Sequence, residues 1–151
     1  MERFVSIAQG VAAVFAVIEL GLTSYLVSPF RWGTPSILGF MLFNSIWSLL
    51  VLAYVFLSPL YFSHLYHNVA ALVIEWITVI FWFAGSIALA SYGATSSCGG
   101  DSFCGSWQAA TAFGFFLWAL FTFFAVVHTM TFLRGNKGHS ATGQPTPYAG
   151  A

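Results

Sequence analysis

The stretch 71-ALVIEWITVIFWFAGSIALA-90 decides the fold of this protein. It is apolar and aromatic over roughly 20 residues, the length that an α-helix needs to cross the hydrocarbon core of a bilayer. Glu75 is its only charged residue. A lone carboxylate exposed to lipid is costly. We therefore expect a membrane-spanning helix that turns Glu75 toward other parts of the protein.

The composition of the whole chain supports a membrane environment. The chain has 151 residues, of which 59% are hydrophobic and only 5% are charged. A soluble domain is typically about 45–50% apolar and about 25% charged. Four basic and four acidic residues cannot cover the surface of a soluble domain of this length. The net charge is zero and no basic run is present, which argues against a nucleic-acid partner.

Three other stretches have the same length and character, and the runs are continuous rather than alternating, which favours helices over a β-barrel. The first run follows Arg3 but is too long for the core of a signal peptide, so we expect a retained span. The predicted fold is all-α, an integral membrane four-helix bundle over residues 1–134. The predicted spans are about 4–27, 36–57, 69–91 and 107–133.

Proline and glycine are expected to limit these spans. Ser58-Pro59 should close the second span, and Gly135 should end the fourth. The remaining residues, 135–151, are small, polar and proline-containing, which predicts a flexible tail.

The distribution of basic residues predicts the orientation. With four spans both termini lie on one side, and that side has Arg3, Arg134 and Lys137, whereas the other has only Arg31. The positive-inside rule therefore predicts cytoplasmic termini.

The two cysteines lie together in the connection that should then be extracellular. Cys98 and Cys104 enclose Gly99 and Gly100, which allow a tight return of the chain. Disulfides persist in oxidising compartments, so we predict a Cys98–Cys104 bridge that contributes on the order of 2 kcal/mol. Two free thiols remain the alternative. The loop offers too few ligands for a metal site.

Depth counting along the spans predicts two intramembrane polar pairs. Glu75 and His128 lie at similar depths from the cytoplasmic ends of consecutive spans. Glu19 and Asn44 lie at similar depths from the outer ends of the first two spans. Consecutive spans with a short connection are antiparallel neighbours, so each acid has a polar candidate partner on the next helix.

Small residues at helical spacing predict the faces along which the helices meet. Small side chains allow close approach of helices in lipid. We expect Phe, Leu, Ile and Val to face outward, away from these contacts. The predicted packing residues are Ala12, Ala16, Ala84, Gly85, Ala88, Ala110 and Gly114.

The buried acids have two interpretations. A proton or ion path would require several ionisable groups strung through the membrane and, commonly, broken helices. Here the acids are single and no proline interrupts a span core, which favours a structural role in which each acid is protonated or hydrogen-bonded and fixes the helix register.

No catalytic or metal-binding constellation is recognisable. His64 and His67 have no nearby Cys, Asp or Glu, so they are interpreted as interfacial histidines and no metal is expected. The chain has no nucleophile elbow and no phosphate loop, and an enzyme is not predicted. The 19% aromatic content needs no cofactor; a hypothesis is that the rings form grooves for sterol rings or acyl chains.

The chain resembles the MARVEL-domain tetraspan proteins, and among them the fungal eisosome-associated, nonclassical-export type. The resemblance lies in EWITVIFWFAGSIALA (75–90), the Cys98–Cys104 loop and WQAATAFGFFLWALFTFF (107–124). By position, the third-span pattern of the family corresponds to Glu75 and the Ala84–Ala88 stretch, and the fourth-span pattern to the alanines at 109, 110 and 112. The tail lacks the dense basic cluster that would bind anionic lipid.

The resemblance implies a non-enzymatic plasma-membrane protein that organises or senses sterol- and sphingolipid-rich microdomains. Its expected partners are membrane lipids and either further copies of itself or a larger integral membrane protein. Two alternatives stay open: an accessory subunit of one membrane enzyme or transporter, and a small proton or ion transporter that uses Glu19 and Glu75.

Overall fold

A computed structural model of the protein describes residues 2–30, 32–61, 68–93 and 99–142. The described part is entirely helical and contains four helices that are long and apolar enough to cross a membrane. The predicted all-α, four-span architecture is thereby confirmed. The helices are α1 (Glu2–Val27), α2 (Ser36–Tyr61), α3 (Asn68–Gly93) and α4 (Ser102–Thr142).

All four helices extend beyond the ends that the sequence predicted, and the difference is largest for α2 and α4. α4 begins at Ser102 rather than near Trp107, because Asp101 caps it: the Asp101 carboxylate accepts a hydrogen bond from the Phe103 N–H at 3.3 Å. α2 continues through Ser58-Pro59 to Tyr61.

The predicted helix end at Gly135 is wrong. α4 continues through this residue to Thr142, so the first part of the predicted tail is helical. Positive φ angles among the described glycines occur only at Gly33 and Gly100, in the connections. Gly135 thus keeps helical dihedrals, and a glycine inside a helix costs only about 1 kcal/mol. Residues 143–151 lie outside the described residues.

The four helices form a closed ring. α1 packs against α2 and α4, and α3 packs against α2 and α4. Ring contacts Phe4–Phe123 and Phe15–Phe113 show that α1 and α4 are antiparallel. This is the arrangement that an up-and-down bundle with short connections adopts.

Each helix buries one stripe of residues spaced by three or four. In α1 the stripe comprises small and polar side chains together with Leu26. The larger buried side chains come from the other helices and include Trp82 and Phe121, so some aromatic rings lie inside the bundle as well as outside. The α1 stripe is Ala12, Ala16, Glu19, Thr23 and Leu26.

The predicted packing residues divide into two groups. Ala12, Ala16, Gly85, Ala110 and Gly114 are buried. Ala84 is exposed and Ala88 is half-buried, so assigning Ala84 to a helix contact was wrong. The physical reason is the helical period: Gly85 faces the bundle, and its immediate neighbour in sequence is rotated by about 100° from it.

Two buried glycines mark close approaches between helices. A Cβ at Gly85 would lie 2.6 Å from Met41 Sδ of α2, and a Cβ at Gly114 would lie 2.6 Å from Ser86 Oγ of α3. No side chain larger than hydrogen fits at these positions without a shift of the neighbour. The contacts bring α2, α3 and α4 together at one level of the bundle.

Candidate functional site

The pair Glu75 and His128 joins α3 to α4. Its Nδ1–Oε2 distance is 2.7 Å, and the side chains of His128 and Glu75 are 24% and 3% exposed. The structure therefore brings together the two residues that depth counting matched. Which atom donates depends on the protonation state of the pair, but either arrangement provides the buried carboxyl with a partner.

A second hydrogen bond lies one residue further along both helices. The Trp76 indole N–H donates to Thr129 Oγ1 at 3.3 Å, and the Thr129 hydroxyl donates to the Ala125 carbonyl at 2.6 Å. Two consecutive residues of α3 thus pair with two consecutive residues of α4. Together they tie the half of α3 that contains Glu75 to the C-terminal part of α4.

Two tryptophans make hydrogen bonds between α2 and α3 that the sequence analysis missed. The Trp82 N–H donates to Ser48 Oγ at 2.7 Å, and the Trp47 N–H donates to Thr78 Oγ1 at 3.1 Å. One indole comes from each helix, so the two bonds run in opposite directions across the interface. The available signal was a tryptophan and a hydroxyl residue at matching depths on consecutive spans.

Glu19 and Asn44 do not form the predicted pair. Both residues are fully buried, but all four polar side-chain atoms lack a hydrogen-bond partner among the described residues. The prediction was wrong because residue counting from span ends fixes depth only approximately. A hydrogen bond also requires the correct rotation of each helix and an atom-to-atom distance below about 3.2 Å.

The hydroxyl of Ser86 is another buried polar group without a described partner. It lies against Gly114, at a close approach of α3 and α4. Three different helices therefore contribute unpaired polar side chains to the interior of the bundle. Native proteins seldom leave such groups unpaired, so these positions are candidates for a bound species.

Aromatic side chains close the end of α3. Trp107 donates its indole N–H to the Leu89 carbonyl at 2.9 Å, and its ring covers Gly93, where a Cβ would lie 2.5 Å from Trp107 Nε1. A cavity of about 230 Å³ opens beside this contact. Its lining residues are Tyr92, Gly93, Phe103, Cys104 and Trp107.

Some predicted residues lie outside the described part of the chain. Cys98, His64 and His67 belong to this group. Cys104 lies in the first turn of α4, and the described residues include no free cysteine. The Cys98–Cys104 disulfide itself stays a prediction.

The described residues offer little for catalysis. They contain no group of three or more His, Cys, Asp or Glu side chains that could hold a metal ion. The polar side chains instead connect helices, donate to carbonyls of their own helix, or remain buried without partners. Such an arrangement suits the internal packing of a membrane bundle.

Comparison with known proteins yields one family. The family model described as MARVEL, membrane-associating domain, matches residues 3–127. No curated protein and no solved structure matches the chain. The matched residues include α1, α2, α3 and most of α4, together with the Glu75 side of the α3–α4 contact. The chain therefore belongs to the MARVEL family of membrane-associating domains.

Proposed function

We propose that this protein is a non-enzymatic plasma-membrane tetraspan that organises or senses lipid microdomains and associates laterally with membrane proteins. The membrane-associating family and the four apolar helices support a role within the bilayer. The connections between described helices are short, so the lipid-facing sides of the helices form most of the available surface. Function is therefore expected to reside on those sides.

The observation that carries this proposal is a group of four aromatic rings between α2 and α3, here called the α2–α3 ring cluster. It consists of Phe40, Phe43, Trp47 and Phe81. Neighbouring ring centroids are 5.8–6.4 Å apart. Phe43 is 50% exposed, so the cluster reaches the outer surface. Phe43 and Trp47 are stacked with an interplanar angle of 29°, and such an apolar aromatic surface suits the fused rings of a sterol.

A photo-crosslinkable sterol in reconstituted nanodiscs tests the proposal. Phe43→Ala should reduce sterol labelling of the α2–α3 interface several-fold. Phe56→Ala is the matched control, because Phe56 is an equally exposed phenylalanine of α2 outside the cluster, and its labelling should be unchanged. Equal labelling of both variants and the wild type would contradict a sterol-binding role for the cluster.

The proposal includes an orientation and a cellular type. Cytoplasmic termini and an extracellular Cys98–Cys104 disulfide follow from the basic residues and the cysteine spacing. The resemblance to the fungal eisosome-associated type suggests the plasma membrane. A membrane-impermeant maleimide should label Cys104 on intact cells only after reduction. Labelling that requires permeabilised cells would reverse the orientation.

A second candidate function is that of an accessory subunit of one larger membrane protein. Exposed apolar side chains are found on all four helices, and they suit protein contacts as well as lipid contacts. Purification in mild detergent separates the two functions. A stoichiometric partner would favour the accessory subunit, whereas a lipid-dependent homo-oligomer would favour the microdomain role.

A third candidate, a small proton or ion transporter, is suggested by the unpaired buried carboxyl of Glu19. Reconstituted vesicles should show no proton or cation flux if the first proposal is correct. Flux that Glu19→Gln or Glu75→Gln abolishes would place the transporter above the other candidates.

A further inference from the structure

Three aromatic side chains line the cavity at the end of the bundle where α3 ends and α4 begins. They are Tyr92 of α3 together with Phe103 and Trp107 of α4, and Gly93 and Cys104 complete the lining. An aromatic ring carries partial negative charge on its face, so a cavity lined by several rings attracts weakly hydrated cations. The chemistry of this cavity therefore differs from that of an ordinary aliphatic groove.

The rings of Phe103 and Trp107 form a corner. Their centroids are 6.3 Å apart, and their planes are inclined by 47° to each other. Phe30, which follows α1, packs against Phe103 at a centroid distance of 6.4 Å. A corner of this kind offers two ring surfaces to one rounded group.

Trp107 is held in place by the protein itself. Its indole N–H donates to the Leu89 carbonyl at 2.9 Å, and its ring lies over Gly93, where a side chain would collide with the indole. A ring that is already fixed loses little conformational entropy when a ligand binds. The hydrogen bond and the glycine therefore preorganise one wall of the cavity.

The size of the cavity limits the occupant to a small group. The cavity has a volume of about 230 Å³, whereas sites for drug-sized ligands have about 300–1,000 Å³. A trimethylammonium group is compact and rounded. Its charge is spread over methyl groups that form no conventional hydrogen bonds, so its recognition depends on ring faces, as in known aromatic cages for choline.

The described charge at this end of the bundle is negative. The Asp101 carboxylate accepts a hydrogen bond from the N–H of the lining residue Phe103, and it offsets the partial positive charge of the α4 N-terminus. No lysine or arginine occurs among the residues described here, 28–30, 32–38, 89–93 and 99–107. Arg31 lies outside the described residues and is not part of the site. A cation is thus favoured over an anion.

The cavity lies at the depth where lipid headgroups are expected. The apolar span of α3 ends at Gly93, and that of α4 begins at Ser102, so the lining residues come from the span ends. Tyrosine and tryptophan are enriched at this level of a membrane. Tyr92 is 76% exposed, so the cavity can be reached from outside the bundle. A headgroup of the surrounding leaflet is therefore the nearest source of a quaternary ammonium group.

We propose that Tyr92, Phe103 and Trp107 form a binding site for the quaternary ammonium group of a choline-headgroup phospholipid. Cation–π contacts with the rings bind the group, and the Asp101 carboxylate adds charge attraction. The site is separate from the α2–α3 ring cluster and does not depend on sterol binding there. Failure of this site and failure of the proposed function are therefore distinguishable.

Titration of the purified full-length protein in a maltoside detergent tests the site, with binding measured as a rise in the melting temperature. The first probe is a short-chain phosphocholine lipid. The second is the same lipid with a tert-butyl group in place of trimethylammonium, which keeps the shape and removes the positive charge. The third has an ethanolamine headgroup, and the fourth is choline chloride without a lipid tail. The phosphocholine lipid should act at a concentration about tenfold lower than each of the other three.

Substitutions by leucine remove a ring but keep an apolar side chain. Tyr92→Leu and Phe103→Leu should each weaken the phosphocholine midpoint about two- to fivefold, whereas Tyr92→Phe, which keeps the ring, should leave it unchanged. Tyr25→Leu is the matched control. Tyr25 is an exposed tyrosine near the end of α1 that leads to Phe30, and it does not line the cavity, so this variant should bind like the wild type.

Three results would overturn the proposal. Equal midpoints for the phosphocholine lipid and its tert-butyl analogue would show that shape rather than charge determines binding. An unchanged midpoint in Tyr92→Leu would remove the aromatic basis of the site, and this variant alters an exposed side chain, so it remains informative if Phe103→Leu does not fold. Choline chloride that acts at the same concentration as the lipid would exclude the lipid headgroup as the specific occupant.

Discussion

The Glu75–His128 contact gives a quantitative prediction for the stability of the bundle. His128→Leu removes the partner of a carboxyl group that is only 3% exposed. Leaving a buried polar group unpaired costs about 1–3 kcal/mol. His128 is 24% exposed, and polar contacts in membrane bundles are worth at most about 1.7 kcal/mol, so we expect the lower end, about 1–1.5 kcal/mol of unfolding free energy.

Glu75→Leu should behave differently because it removes the buried acid itself. Leucine fits an apolar interior, so we expect a change near zero. The double variant should then resemble Glu75→Leu alone, since no carboxyl remains to be left unpaired. The coupling energy between the two substitutions in this double-mutant cycle is therefore about 1 kcal/mol. Polar contacts in membrane bundles have a mean coupling energy of about 0.6 kcal/mol and a maximum of about 1.7 kcal/mol.

The assay is reversible unfolding in mixed micelles with increasing denaturing detergent, followed by tryptophan fluorescence. Ser24→Ala serves as the control because Ser24 is an exposed residue of α1, far from the α3–α4 contact. Combined with Glu75→Leu, it should give additive effects. Purely additive effects of Glu75→Leu and His128→Leu would refute the reasoning, since they would show that the two side chains do not interact.

Two other substitutions test the close packing of the helices in the same assay. Gly114→Ala should destabilise the bundle by about 1–3 kcal/mol, because its Cβ would meet Ser86 Oγ at 2.6 Å. Gly21→Ala is the control, because the new methyl group has open space around it, and this variant should be neutral or stabilising by up to about 1 kcal/mol. A similar loss of stability in both variants would contradict a specific contact at Gly114. Trp82→Phe should lower the unfolding free energy by about 1–3 kcal/mol, because it leaves the buried Ser48 hydroxyl without its donor. If the hydrogen bond is the cause, Trp82→Phe should have no further effect in a Ser48→Ala background.

The fold could be predicted from hydropathy because few structures satisfy backbone hydrogen bonds in lipid. Depth counting also brought Glu75 and His128 together. α3 and α4 are joined by a short connection, and the match counted each residue from the end of its span that was predicted to be cytoplasmic. The same method failed for Glu19 and Asn44, because apolar runs indicate where a helix crosses but neither its rotation nor its slide along a neighbour.

The indole hydrogen bonds and the helix ends were missed for different reasons. The Trp107 N–H donates to the Leu89 carbonyl and the Trp107 ring covers Gly93, although the sequence indicated this residue only as the start of the fourth span. Polarity alone does not stop a helix, so α4 extends through Gly135, and its start depends on the Asp101 cap. Such features depend on individual hydrogen bonds, which a hydropathy pattern does not contain.

The division between interior and surface has a consequence for how this protein can diversify. Helix contacts depend on small residues and on a few polar pairs, such as Gly114 with Ser86 and Trp82 with Ser48. Large apolar side chains such as Leu50 lie on the outside, where lipid is as apolar as they are and their removal sacrifices little packing. Substitutions on the outer surface can therefore change the lipid or protein partner with little effect on the unfolding free energy. A single methyl group added in the interior, in contrast, should lower the unfolding free energy.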